Sequence, residues 1–229
     1  MRISDRFSII EIYLRRRKVL LEDLKNILRY GVSAPRLFQE IYVVPQEITR
    51  GICCPVFLKT RSVRFRNVII GGSWGAEPMS SRFSEMFSAH IRSGVPWEKT
   101  FAYDRMLQLI EQNGGVFDGC RNQHDIENRY RKIDVMIDEI RNSGRMKSIR
   151  EIDPLGFREL GGIHVGVTRS GEIVKAGGGT HRLHIARELD LPYVPACLDV
   201  IHPVAIQNGA WRKVLLRSRQ LKKMDYARY

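Results

Sequence analysis

The sequence predicts an α+β protein: a mainly helical amino-terminal region carrying a small sheet, then a compact domain with a small mixed sheet and helices, then a basic terminal helix. Three observations predict it. Apolar residues recur at helical spacing in several long stretches. Short β-favouring runs are punctuated by Gly and Pro. Near the end, a hairpin pattern runs through three glycines into a helix-forming stretch, Ala176 to Leu191 (AGGGTHRLHIARELDL). The expected divisions are 1–115, 116–205 and 206–229.

In order, residues 5–30 place Phe7, Ile10, Leu14, Leu21, Leu24 and Leu28 at helical spacing, with Asp5 as cap, Gly31 as stop, and a break near Arg15 to Lys18 as the alternative to one continuous helix. Its run Arg15-Arg16-Arg17-Lys18 reads first as a solvated face and second as a contact for phosphates or a membrane surface. Ile41 to Val44 and Val63 to Ile70 read as strands, with Cys53-Cys54 between them as packing residues. Helices are expected over 81–92, 103–112 and 124–142, the last with Ile126, Tyr130, Ile133, Ile137 and Ile140 facing a core. Ile163, Val165 and Val167 alternate ahead of a Ser170-Gly171 turn, and 172–176 returns as the partner strand. After the helix at 180–190, a strand at 196–201 and a basic helix from Trp211 complete the chain.

The net charge is +13, with 38 Lys and Arg against 25 Asp and Glu; residues 1–72 alone carry 14 basic and 6 acidic side chains. Such a surplus favours polyanions and does not choose among them. The four cysteines show no CxxC pair, which argues against a disulfide framework or a structural zinc site. Charges at Arg2, Asp5, Arg6 and Glu11 interrupt the first apolar runs, no stretch reaches spanning length, and a soluble cytoplasmic protein is the expectation.

The glycine turn carries the chemistry. Gly177, Gly178 and Gly179 lack Cβ atoms, so an anion can approach the backbone and the unpaired N–H groups of the helix that follows. Thr180 reads equally as helix cap or as phosphate donor, while His181 and Arg182 supply donors suited to phosphate oxygens. His184, one turn on, either lines the site or packs.

The ordered set from Arg129 to His202 resembles the ParB/sulfiredoxin superfamily, the nucleotide-binding part covering about residues 121–205. Its pieces are a helix ending at Gly144, the hairpin at 163–176, the box Gly179-Thr180-His181-Arg182, and the strand at Val194-Pro195. The resemblance implies ATP, CTP or ADP held by the box, usually with Mg²⁺. The sulfiredoxin branch has Cys where this chain has Thr180, which removes its thiol chemistry. The partition branch needs a DNA-binding domain for which little chain remains. The free-serine-kinase branch has Asp where this chain has Gly178, so Glu159, Glu172 or Asp199 would have to compensate, and it implies an upstream base for which Glu127 is the candidate.

Trp74, Trp97 and His202 resemble positions in uncharacterised ParB-like proteins of archaea and phages; the two indoles read either as a stacking platform for a base or sugar or as core residues. The expected function is an ATP-dependent phosphotransferase acting on a hydroxyl of a small molecule or glycan. Glu127, Glu159, His181 and Arg182 are its candidate catalytic groups. The alternative is a nucleic-acid-binding or nucleotide-switch protein that grips phosphates with its basic ends, including Arg212, Lys213, Arg217, Arg219, Lys222 and Lys223.

Overall fold

The computed structural model describes residues 9–53 and 67–226. In chain order the elements are α1 (Ile9–Tyr30), β1 (Glu40–Val43), β2 (Arg50–Cys53), β3 (Gly75–Pro78), α2 (Ser81–Ser93), α3 (Ala102–Gln112), α4 (Gln123–Ser143), α5 (Ile149–Ile152), β4 (Ile163–Val167), β5 (Ile173–Lys175), α6 (Thr180–Glu188), β6 (Val194–Ile201), α7 (Pro203–Gln207) and α8 (Ala210–Tyr226). The α+β class is as expected. Of the strand expected over 63–70, Val63 and Phe65 lie outside the described residues, as does Cys54.

The chain packs as two compact units, each discontinuous in sequence. A sheet unit comprises residues 2–79, 147–180 and 192–229; a helical unit comprises 80–146 and 181–191. The breaks expected at 115/116 and 205/206 each fall inside one of these units.

The sheet unit corrects the expectation of two small sheets, because its six strands form one, in the order β1-β6-β4-β5-β2-β3. Strand β6 (VPACLDVI) is apolar except at Asp199, as suits a strand enclosed between neighbours. It pairs antiparallel with β1 and parallel with β4. Strand β5 returns antiparallel to β4 and pairs parallel with β2 through Gly51↔Lys175, and this pairing brings the amino-terminal strands into the same sheet. Helix α8 closes the outer edge of β1, where the Ser218 hydroxyl accepts the Tyr42 N–H at 2.8 Å.

In the helical unit, α4 begins at a capping Asn122 whose side chain accepts from the Asp125 N–H, and ends at Gly144 in the left-handed region. Its expected stripe, Ile126, Tyr130, Ile133, Ile137 and Ile140, is buried throughout. Around it lies an aromatic and histidine core. Phe83 and Phe87 both stack on His184, with ring centroids 5.8 and 5.5 Å away. Phe87 also meets Trp97 edge-on, and Trp97 stacks on His90 at 3.8 Å.

Candidate phosphate-binding turn

Strand β5 ends at Lys175, and the glycine turn follows within the sheet unit. Here the backbone carbonyls are pinned inward. The Lys175 ammonium donates to Gly177 O and, at 2.6 Å, to Gly178 O, while the His164 N–H donates to Gly178 O at 3.1 Å. Gly179 has φ +78°, and a Cβ there would stand 2.2 Å from Gly162 O and 2.6 Å from Ile163 Cα, so no other residue fits. Gly177 and Gly178 are exposed. The amide N–H groups of Gly177, Gly178 and Gly179 meet no acceptor among the described residues. Nor does the Thr180 hydroxyl make a cap bond among them.

Beneath the turn lies a polar floor drawn from three neighbouring strands: His164 on β4, Lys175 on β5 and Asp199 on β6. Asp199 is the additional residue of a β-bulge, since Val165 pairs with Leu198 and Gly166 with Val200. Bulges re-aim a side chain out of the ordinary alternation. His164 Nδ1 and Asp199 Oδ1 are 3.8 Å apart. A Cβ on Gly177 would lie 3.4 Å from both residues, so the missing side chain leaves the pair next to the exposed turn. Burial pushes the Lys175 ammonium down to about 8, against the opposing pull of Asp199. The Cys197 thiol is held well above its usual range by burial and by the Asp199 and Glu159 charges, and stays protonated.

Glu159 is fully buried in the sheet unit, and both its oxygens accept the Ile149 N–H at 2.9 Å, anchoring the start of α5. Trp74 and His202 meet there at 5.7 Å, both buried; Trp74 donates to Ile70 O, and His202 caps α7 by accepting the Val204 N–H. Of the basic residues on α8, Arg217 forms a two-pronged pair with Glu47 and Lys222 pairs with Glu40.

The remaining expected residues fall in the helical unit. His181 packs against Phe87 and Tyr130, and burial, aided by Arg129, pushes its pKa down to about 4, so it stands neutral at pH 7. The ring can still donate from a nitrogen, as the donor role expected of it needs, but it brings no charge. Arg182 and His184 are buried. Trp97, 4% exposed, donates to Asp134 at 2.7 Å, so both tryptophans are core residues and not an open stacking platform. Glu127 accepts from Gln123 and shares a groove of about 390 Å³ with Trp97, Glu98, Tyr103 and Asp134.

His164 and Lys175 were not singled out by the sequence reading, and Asp199 only as a substitute carboxylate. The legible signals were a lysine ending a strand against three glycines and a lone acid in an apolar strand. Among the described residues no three His, Cys, Asp or Glu side chains form a group able to hold a metal ion. The floor offers one carboxylate, with a buried ammonium competing for it, which does not fit a protein-built Mg²⁺ site.

No family model, curated protein or solved structure matches the chain.

Proposed function

We propose that the chain binds a nucleoside triphosphate at Gly177–Thr180 and transfers the terminal phosphoryl group to a hydroxyl of a small molecule or glycan. The observation that carries the reading is the polarity of the turn. With the Gly177 and Gly178 carbonyls held by Lys175 and the His164 N–H, the unpaired amides of Gly177, Gly178 and Gly179 are left as the donors for an anion. The resemblance of the box to nucleotide-binding proteins supports the same ligand.

In this reading His164, beside the exposed glycines, takes the proton of the acceptor hydroxyl, and Asp199 stabilises the imidazolium that forms. The acceptor oxygen bonds to the terminal phosphorus as the bridging P–O bond breaks, and the nucleoside diphosphate departs. No step is assigned to a metal.

Calorimetric titration with ATP, CTP and ADP, with and without Mg²⁺, tests the binding. Heat of binding is expected for at least one triphosphate. His164→Gln is expected to keep that heat and to lower phosphoryl transfer by about 10²-fold or more. No heat with any nucleotide removes the reading, and undiminished transfer in His164→Gln removes the base.

A further inference from the structure

Helix α1 presents an apolar face that its own unit leaves uncovered. Leu14, Leu20, Leu21, Leu24 and Leu28 are 57, 52, 61, 54 and 80% exposed, whereas Val19, Asp23 and Asn26 on the opposite side are 1, 5 and 4% exposed. At about 100° per residue, the five leucines fall within one sector of roughly 120°, running about 21 Å from Leu14 to Leu28, with the exposed Arg17 at its centre on a stem long enough to carry its charge out to the border. Lys18, Lys25 and Arg29, all exposed, form a row along one border of that sector. Of the described acids of the helix, Glu22 lies beside this row and is already paired with its Lys25, and Asp23 faces inward. Asp23 is buried against Arg158 and the Leu37 N–H, and Glu22 is held by Lys25 and Asn67.

This charge pattern selects the occupant. A second copy docked on the leucines would bring two basic rows together with no unpaired carboxylate among the described residues of the helix to meet them. A surface that is apolar below and negative above answers both sectors. We propose that α1 lies in the interfacial plane of an anionic lipid bilayer, its leucines among the acyl chains and its Lys/Arg row at the headgroups. No helix among the described residues is long and apolar enough to cross a membrane, so the contact is peripheral. It is independent of the phosphate turn.

Co-sedimentation of the full chain with vesicles tests it, using phosphatidylcholine alone or mixed with phosphatidylserine. Retention is expected only on the mixed vesicles and should weaken as salt rises from about 0.05 to 0.5 M. Leu21→Glu with Leu24→Glu is expected to lower the partition coefficient by about a hundredfold. Lys18→Glu with Lys25→Glu should lower it as well, and Leu28→Ser, at the most exposed leucine, gives a milder check on the same face. The inference is overturned if the mixed vesicles fail to retain the wild type, or if the leucine variants bind as the wild type does, which would assign retention to basic surface elsewhere. It is also overturned if light scattering shows a dimer that the leucine variants dissociate, or if an acidic peptide helix binds α1 and the vesicles do not.

Discussion

The two units solve the burial of polar groups in opposite ways. In the helical unit, Arg182 apart, the buried and half-buried polar side chains picked out by their packing are rings: His184 on Phe83 and Phe87, His181 against Phe87 and Tyr130, and Trp97 on His90. Aromatic walls accept a neutral imidazole by stacking and offer little to a charge, and His181 is accordingly held neutral. In the sheet unit the buried polar groups include ionisable chains anchored to backbone, with Lys175 on two carbonyls and Glu159 on the Ile149 N–H. Strand ends and tight turns leave unpaired backbone dipoles, and a buried Lys or Glu can meet them. The place to expect charge-dependent chemistry is therefore the sheet unit.

The largest test breaks the sheet unit's turn. Gly179→Ala places a methyl group 2.2 Å from Gly162 O at a φ of +78°. Overpacking against backbone and the left-handed penalty together predict a loss of about 3–5 kcal/mol in chemical denaturation, and with it loss of nucleotide heat. A variant of wild-type stability would mean that the turn does not rest on β4.

The next two tests set the units against each other by pH. His181 titrates near 4 in the fold and near 6.5 unfolded, so between these values the unfolded chain holds more protons. Stability therefore rises from about pH 4 to 6.5, by about 3 kcal/mol, and is lost as acid protonates the ring. His181→Phe should flatten that limb, as read from denaturation midpoints across the window. Lys175 titrates near 8 folded and 10.5 unfolded, so again the unfolded chain holds the extra proton. Its contribution is a rise of similar size between about pH 8 and 10.5, which Lys175→Met should abolish. If either variant leaves its limb intact, the corresponding group is not buried as described.

Legibility in the sequence follows the same division. The helices of the helical unit were readable within a residue or so at each end, because Asn122, Gly94 and Gly144 mark their boundaries locally and the isoleucine stripe of α4 fixes its inward face. The single sheet was not readable. The pairing of Gly51 with Lys175 joins segments more than a hundred residues apart, and no periodicity announces which strand will meet which. The turn itself was legible from its glycines. Its floor was not, because His164, Lys175 and Asp199 come from three strands and Asp199 is aimed by a bulge that exists only once β4 and β6 have paired. His181 reads in the sequence as a donor to phosphate; a ring that packs against it, Phe87, lies far away along the chain.

The smallest expected effect concerns a part of the helical unit where carboxylates gather, the groove of Glu98, Glu127 and Asp134. The Tyr103 phenol there is raised above its ordinary value first by burial, then by Glu127, Glu98 and Asp134. The share that Glu127 adds requires it to be ionised and close, two properties a base also needs, so Tyr103 reports on that candidate without assuming any reaction. In ultraviolet titrations, with Tyr103→Phe subtracted to isolate the signal, Glu127→Gln should move the Tyr103 midpoint down toward the ordinary tyrosine value. An unmoved midpoint would mean that Glu127 faces solvent away from the groove. Glu127 would then lose the environment that makes it a candidate base.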